Sequence, residues 1–365
     1  EDDNLSGDLD VLGSGNLVIQ GNGPSKTIVD GGEIDRVFHL CPGGSCAFRV
    51  TIEAVTVRNG KLTGMVGNGG GIYNRSSELT LQSSTIGVAG GGNQAPSGGG
   101  IYNSGGASMS MVGCSLRSND ATNGGGIYNM GTLTIQNSSI GEVGMPNTAL
   151  SGGGIYNASG IATLDGSIVR SNSATFGAGI QNKGILNVEN DSIIGGAGAA
   201  NIATKDGGGI HSTAGTVTVV DSIISANTAG GNGGGIYSEA TVNVTDSTIG
   251  GSGEANSCSY SGGGIHIASG TFTLDGSVVS ANEAMFGGGI SNQGNLTVEN
   301  DSTIGGAGVG NHASSAGGGL TNDLGGTAVV SGSTISANTT DATGGGIYNR
   351  GELSIVSGST IGGPG

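Results

Sequence analysis

The stretch Gly69-Gly70-Gly71-Ile72-Tyr73-Asn74 decides the fold of this 365-residue chain, because it or a close variant occurs eleven times. Successive copies lie 25 to 30 residues apart, and long and short intervals alternate. The apolar residues of the copies are Ile72, Ile101, Ile127, Ile155, Ile180, Ile210, Ile236, Ile265, Ile290, Leu320 and Ile347. A repeat of this length indicates a solenoid, in which each unit buries its apolar face only by stacking on its neighbours.

Each repeat contains three short segments in which apolar and polar residues alternate, separated by turns. Alternation over four to six residues predicts strands with one buried face, and no segment shows the 3.6-residue period of a helix. We therefore predict an all-β fold, a right-handed parallel β-helix of 12 to 13 coils with three short strands per coil. Residues 1–365 are expected to form a single domain, with atypical first coils at 1–68 and the repeat array at 69–365.

The aligned repeats place polar residues at fixed positions, and these positions predict hydrogen-bonded ladders along the solenoid axis. An asparagine amide can donate to one neighbouring coil and accept from the other. The Asn that follows Ile-Tyr or its equivalent recurs as Asn74, Asn103, Asn129, Asn157, Asn182, Asn292, Asn322 and Asn349. A second Asn row in the short repeats contains Asn119, Asn172, Asn227, Asn282 and Asn338. A serine row includes Ser138, Ser167, Ser192, Ser222, Ser247, Ser277 and Ser302.

The glycine triplet before each Ile is expected to form a corner of the coil. Glycine has no Cβ, so it accepts a positive φ and a close approach of the neighbouring coil at little cost. Replacement of such a glycine is expected to break a corner and not to remove a reactive group.

The charge balance excludes some classes of partner. Eleven Lys and Arg face 27 Asp and Glu, giving a formal net charge of −16, which disfavours nucleic acids and anionic membranes. No run of apolar residues is long enough for a membrane span. The chain begins at Glu1 without Met. We expect a processed or trimmed product whose export signal and anchor lie outside this sequence.

The four cysteines have different expected roles. Cys41 and Cys46 enclose Pro-Gly-Gly-Ser, a turn short enough to close a small disulfide ring, which suits an oxidising exterior. The alternative is two reduced thiols in a loop. Cys114 takes the place of a serine in the serine row and is expected to be buried, whereas Cys258 is expected in a loop with an unknown partner.

The Gly-Gly-Gly-Ile-Tyr-Asn, Leu-Thr-Ile and Ser-x-Ile segments resemble those of secreted bacterial β-helix proteins of the CSLREA-motif type. More distantly they are similar to polymorphic outer-membrane-protein passenger repeats. The opening also resembles the first coils of that group, in residues 6–10, 17–19, 28–31 and 35–38. The resemblance covers essentially the whole chain and implies export and an extracellular or cell-surface location, with no particular reaction.

No acid, base and nucleophile gather at one place in the repeat, so neither a catalytic site nor a cofactor is predicted. The best acidic group is Asp191, Asp221 and Asp246, which precede the serine row in three consecutive coils. Like charges about 5 Å apart repel, so a calcium ion could bridge them. The alternative is a solvated turn row in which Asp is favoured by turn geometry.

An outward aromatic row is the candidate surface contact, with histidine at two equivalent positions, His211 and His266. Its tyrosines are Tyr73, Tyr102, Tyr128, Tyr156, Tyr237 and Tyr348. Such a row can bind sugars or another molecule, or it can be only cross-strand stacking on a β face. The second interpretation is favoured.

The last repeat, residues 351–365, is the first half of a long unit, and no amphipathic helix precedes the first strand-like segment. Open coil ends expose strand edges, so we expect copies of the chain to associate head to tail into filaments. The predicted function is an extracellular structural or adhesive surface protein, with itself and glycans or a neighbouring cell surface as partners. The alternative is a carbohydrate-binding or polysaccharide-degrading β-helix.

Overall fold

A computed structural model describes residues 7–13, 15–43, 46, 48–64, 67–75, 77–356 and 358–362. The chain divides into two compact units. The first unit is Glu1–Ala174 with Ala178–Leu186, and the second is Thr175–Gly177 with Asn187–Gly365. Among the described residues, the secondary structure is entirely β, and no helix has the length and apolar character needed to cross a membrane.

Four kinds of parallel sheet, called A to D here, recur in both units and form a β-solenoid of about 12 turns. Sheet A contains the Ile-Tyr-Asn strands. In the first unit these are Leu9–Val11, Phe38–Leu40, Ile72–Asn74, Ile101–Asn103, Ile127–Asn129, Ile155–Asn157 and Ile180–Asn182. In the second unit they are Ile210–Ser212, Ile236–Ser238, Ile265–Ile267, Ile290–Asn292, Leu320–Asn322 and Ile347–Asn349.

Sheet B contains the longest regular strands, most of them five residues long. In the first unit they are Leu17–Gln20, Arg49–Glu53, Glu78–Gln82, Ser108–Val112, Thr132–Gln136 and Ile161–Asp165. In the second unit they are Thr216–Val220, Thr241–Thr245, Thr271–Asp275, Asn295–Glu299, Thr327–Val330 and Glu352–Ile355. The strand Ile185–Glu189 contains the boundary between the units.

Sheet C follows the serine row. Its strands in the first unit are Ile28–Asp30, Thr56–Arg58, Thr85–Ile86, Ser115–Leu116, Ser139–Ile140 and Ile168–Val169. In the second unit they are Ile193–Gly195, Ile223–Ser225, Thr248–Gly250, Val278–Ser280, Thr303–Gly305, Thr334–Ser336 and Thr360–Ile361. Sheets A, B and C correspond to the three strands per coil that the repeat predicts.

Sheet D adds a fourth strand to many coils, which the repeat pattern does not predict. Its strands in the first unit are Gln94–Ser97, Asp120–Asn123 and Thr148–Ser151. In the second unit they are Ile202–Ala203, Thr228–Ala229, Ser257–Cys258, Glu283–Phe286, His312–Ala316 and Thr339–Thr340. The strand Ser173–Phe176 contains a boundary between the units. Cys258 therefore lies in a strand and not in a loop, because its backbone pairs with a neighbouring coil.

The pairing places equivalent residues of successive coils side by side. Ile101, Tyr102 and Asn103 pair in register with Ile127, Tyr128 and Asn129. Each coil sends inward one Ile-type side chain from sheet A, two from sheet B and one from sheet C; Ile127, Leu133, Ile135 and Ile140 are fully buried in this way. Burial of one such side chain contributes roughly 1.5–3 kcal/mol to stability. Each added coil therefore lengthens the apolar core and stabilises the coils next to it.

Candidate functional site

The aromatic row of sheet A forms a continuous stack in the first unit. The ring of His39 lies 4.9 Å from that of Tyr73 at 8°, and Tyr73 meets Tyr102 edge to face at 5.2 Å. Tyr102 and Tyr128 are 4.9 Å apart at 5°, and Tyr128 and Tyr156 are 5.0 Å apart at 5°. His39 begins this row, and the sequence analysis missed it because the strand Phe38–Leu40 lacks the Ile-Tyr-Asn motif.

A second, shorter aromatic stack lies in the second unit. Phe176 and His211 are 5.5 Å apart, His211 and Tyr237 4.6 Å, and Tyr237 and His266 5.3 Å. Phe176 lies in sheet D, so it had no place in the predicted row. Tyr348, half-buried in the strand Ile347–Asn349, pairs in register with Thr321.

Two cations lie over rings of the first unit, and burial shifts the pKa of other members of the two stacks. Arg36 lies over the Tyr73 ring at 5.4 Å, and Lys183 lies over Tyr156 at 5.6 Å. Burial, followed by the neighbouring tyrosines, raises the pKa of Tyr102 to about 12. A hydrogen bond between Lys183 and the Tyr156 hydroxyl raises the pKa of Lys183. Burial lowers the pKa of His266 to about 4. At neutral pH Tyr102 and His266 are therefore uncharged, and Lys183 is cationic.

The stacking geometry restricts what the aromatic row can bind. A sugar stacks on the open face of a ring. The faces of Tyr102 and Tyr128 are covered by each other, and that of Tyr128 also meets Tyr156. The hydroxyl of Tyr102 is directed to the Met130 sulfur at 3.1 Å. The geometry favours the structural interpretation, in which the row joins successive coils.

The predicted Asn ladder after Ile-Tyr is a continuous chain of amide hydrogen bonds in the first unit. The Nδ2 of Asn74 donates to Asn103 at 2.9 Å, and the chain continues through Asn129 and Asn157 to Asn182 at 2.8 to 2.9 Å. In the second unit the same chain joins 292, 322 and 349 at 2.7 to 2.8 Å. These amides are structural, since they face the neighbouring coils.

The second Asn ladder is longer than the short repeats predict. Asparagines of the long repeats alternate with those of the short ones: Asn93, Asn147, Asn201, Asn256 and Asn311. The bonds between neighbours measure 2.9 to 3.0 Å in the first unit and 2.8 to 3.0 Å in the second. These residues follow glycine-rich loops of variable sequence, so alignment of the repeats hid them. The signal that could have found them is an Asn eight or nine residues before the Ile or Leu that follows the next glycine triplet.

The serine row has its own pattern of hydrogen bonds. The Ser167 hydroxyl accepts from the backbone N–H of Ser138 at 3.2 Å, and Ser277 accepts from Ser247 at 3.1 Å. Each hydroxyl donates to a carbonyl two or three residues earlier in its own coil, as Ser192, Ser222, Ser247 and Ser302 do at 2.7 to 2.8 Å.

The three aspartates proposed for calcium occupy turn positions with positive φ. The φ angles of Asp191, Asp221 and Asp246 are 60°, 46° and 47°, and all three side chains are exposed. Asn137, with a φ of 48°, takes the equivalent position in the first unit. Asn and Asp are the side chains that best tolerate this conformation, so turn geometry accounts for the row. Calcium binding there stays a prediction.

The structure joins Cys41 to Cys46 in a disulfide, with 5.8 Å between the Cα atoms. The other two cysteines are free thiols, Cys114 buried and Cys258 half-buried. Burial raises the pKa of both thiols, that of Cys258 to about 12, so both are protonated at neutral pH. A protonated thiol is a poor nucleophile, which disfavours a catalytic role.

A regular polar surface lies on the outward face of sheet B in the second unit, and we call it the threonine face. Its residues are Thr216, Thr218, Thr241, Asn243, Thr271, Thr273, Asn295 and Thr297. In-register pairing places them in two rows across four strands. Strands lie about 4.8 Å apart and alternate residues about 7 Å apart, so the hydroxyl and amide groups form two regular uncharged rows. The third outward row of these strands is Val220, Thr245, Asp275 and Glu299, and it carries two carboxylates.

The structure also brings together a charged group that the sequence analysis did not single out. Asp10 lies on the strand Leu9–Val11, and Asp8 directly precedes that strand. Both are next to Arg36 and His39. All four belong to atypical first coils, so no repeat position marked them.

A scan against protein-family models and a search of curated proteins gave no match. Among solved structures, the chain is similar to the crystal structure of the TibC-catalyzed hyper-glycosylated TibA55-350 fragment. The match has 17% identity and a TM-score of 0.24, and covers 96% of this chain and 100% of that chain. So low a TM-score carries no argument, and the solenoid assignment rests on the parallel pairing described above.

Proposed function

We propose that this chain is an extracellular structural or adhesive protein of the secreted bacterial β-helix type. The observation that carries the proposal is that one set of side chains joins the coils to each other while a different set faces solvent. Asn and Ser ladders and the stacked rings hold the coils together, while the threonine face presents hydroxyl and amide groups to solvent. Such a solenoid supports an extended contact surface, which is how repeat proteins commonly bind.

The threonine face is the proposed adhesive surface, with glycans or a neighbouring cell surface as its partner. A hydroxyl both donates and accepts hydrogen bonds, so a grid of hydroxyl and amide groups matches a polyhydroxylated surface. The eight residues of the threonine face are uncharged, whereas Asp275 and Glu299 lie in the next outward row of the same strands and the chain as a whole has a net charge of −16. Because these negative charges repel anionic surfaces, the proposed partner is a neutral glycan surface that contacts the two uncharged rows.

A charge placed on the threonine face tests this assignment. We expect the double variant Thr241→Glu/Thr271→Glu to reduce binding to immobilised glycans or bacterial cells at least tenfold, because the carboxylates interrupt the grid. The matched control is Thr228→Glu/Thr339→Glu, which places the same charges at exposed threonines of sheet D. Equal loss in both variants, or no loss in either, would contradict the proposal.

The same glycans, used as soluble polysaccharides, test the alternative function of polysaccharide degradation. Product analysis after long incubation, with and without calcium, detects shortened chains or new reducing ends. Depolymerisation by the wild-type chain would favour the polysaccharide-degrading alternative over adhesion.

Head-to-tail association of copies is part of the proposal. Inward positions in the last described coil are less covered than their in-register partners: Ile355 is 46% exposed and Val330 fully buried. In sheet C, Ile361 is 40% exposed and Ile335 fully buried. The first coil of a second copy would cover these apolar side chains, and repetition of that contact would produce a filament.

A further inference from the structure

Two carboxylates and one imidazole converge in the first coils of the first unit, in a group we call the Asp8 cluster: Asp8, Asp10, Arg36 and His39. Asp8 and Asp10 are two residues apart along an extended segment, so their side chains point to the same face. Asp10 pairs in register with His39 on the neighbouring strand Phe38–Leu40. The topology therefore places one carboxylate beside the imidazole and the second carboxylate next to both.

The side chains of the Asp8 cluster are buried. Those of Asp8, Asp10 and His39 are 0%, 16% and 6% exposed, and that of Arg36 is 7% exposed. Burial of polar groups at this density is typical of side chains that act together, either as an ion-pair group or as ligands of one ion.

The distances between the polar atoms match those of a shared metal ligand set. The Nδ1 of His39 is 3.4 Å from the Oδ1 of Asp10 and 3.9 Å from the Oδ2 of Asp8. One oxygen or nitrogen atom from each of the three residues lies within 4.8 Å of the others. Two ligands bound to one ion at about 2.1 Å lie roughly 3 to 3.5 Å apart, so a small inward movement would complete coordination.

The surroundings hold two of the three ligands in position. The His39 ring is stacked on Tyr73 at 4.9 Å, which fixes its plane. The Nε of Arg36 lies 3.1 Å from the Oδ2 of Asp8, and its Nη1 donates to the Asn68 carbonyl at 3.1 Å. Support of ligands by outer partners of this kind is typical of protein metal sites.

We propose that Asp8, Asp10 and His39 bind one divalent first-row transition metal ion, with Arg36 orienting Asp8. An imidazole ligand favours zinc, iron, nickel or copper over magnesium and calcium, which prefer oxygen ligands alone. The ion joins the strand Leu9–Val11 to Phe38–Leu40 and so fastens the first coil to the second. This site differs in position and in ligand chemistry from the aspartate row at 191, 221 and 246, for which calcium binding is only a prediction.

Titration of the chelator-treated full chain with Zn²⁺ at pH 7.5 tests the site. Isothermal titration calorimetry should show one ion bound per chain, and Asp10→Asn and His39→Gln should each weaken binding at least tenfold. The matched control is His312→Gln, since His312 also lies near a carboxylate, 3.7 Å from Asp341, but outside the cluster. Loss in the control equal to that in His39→Gln, or no stoichiometric binding by the wild type, would overturn the proposal.

Co²⁺ binding is measured on the wild-type chain, so this test does not require any variant to fold. One equivalent should produce visible absorption bands of a nitrogen- and oxygen-coordinated ion, and Zn²⁺ should abolish them. Hydrogen exchange at Leu9–Val11 should slow in the presence of Zn²⁺ and stay unchanged with the same concentration of Mg²⁺. Absent Co²⁺ bands, together with an imidazolium signal for His39 at pH 7.5, would assign the cluster to a protonated ion-pair group instead.

Discussion

Asparagine is the residue that most directly holds successive coils together. The side chain of Asn256 donates to the Oδ1 of Asn282 at 3.0 Å and to the carbonyl of Ile224 at 2.8 Å. Its own Oδ1 accepts from the side chain and the backbone N–H of Asn227, both at 3.0 Å. All the polar capacity of a fully buried amide is thus used, which serine or threonine could not do.

Replacement of Asn256 by Ala is predicted to loosen the second unit around this coil. The change removes the four bonds of this side chain, those from the backbone N–H and the Nδ2 of Asn227 and those to the carbonyl of Ile224 and the Oδ1 of Asn282. The Nδ2 of Asn227 and the Oδ1 of Asn282 keep other partners, so the main cost falls on the other two groups, at roughly 1–3 kcal/mol per buried group. We expect the local free energy of opening to fall by about 3 kcal/mol, measured by hydrogen exchange of amides near residues 227 and 256.

The control for this prediction is Asn243→Ala, at a half-buried position on the outward side of sheet B in the same unit. Surface substitutions usually change stability by about 0.5 kcal/mol or less. If both variants exchanged at the same rates, the ladder would contribute no more than an ordinary surface amide.

Each glycine triplet meets two different structural requirements of the corner between sheets D and A. Gly124 has a φ of 67°, which a residue with a Cβ adopts only at a cost. Gly126 has an ordinary φ, but a Cβ on it would lie 2.6 Å from the carbonyl oxygen of Gly154 in the next coil. The first glycine of the triplet therefore serves the turn, and the third allows neighbouring coils to approach.

The variant Gly126→Ala is predicted to destabilise the first unit by about 2 kcal/mol or more, because the added methyl group meets rigid backbone. Gly105→Ala is the matched control: it also has an ordinary φ, and a Cβ there meets nothing within 4 Å. Removal of backbone freedom from the unfolded chain makes that control neutral or slightly stabilising. Thermal unfolding followed by circular dichroism compares the two variants. A smaller loss of stability in Gly126→Ala than in Gly105→Ala would contradict the prediction.

The elements also show how far sequence could predict this fold. Sheets A, B and C were predicted because Ile127, Leu133 and Ile140 recur at fixed positions in every repeat. Sheet D was not, because strands such as Asp120–Asn123 and Thr148–Ser151 contain no buried residue and show no regular apolar alternation. Their backbone pairing with adjacent coils, and not side-chain burial, makes them strands. The Asp8 cluster was missed since its partners are brought together by pairing of atypical coils.

Apolar contact and net charge would act in opposite directions on the proposed head-to-tail association of copies. Exposed apolar positions such as Ile355 and Ile361 would favour that contact. A net charge of −16 on each chain opposes it through long-range repulsion. Salt screens the repulsion and leaves apolar contact almost unchanged, so ionic strength separates the two contributions.

Head-to-tail association is predicted to strengthen as salt increases from about 20 mM to about 500 mM, where the Debye length falls to roughly 4 Å. Sedimentation velocity at several protein concentrations should then show larger species, and electron microscopy should show filaments. Ile355→Glu/Ile361→Glu should abolish both, whereas Val143→Glu/Leu150→Glu, at exposed apolar residues elsewhere, should not. A monomer at every salt and protein concentration would contradict the contact, and equal loss in both variants would place it elsewhere on the surface.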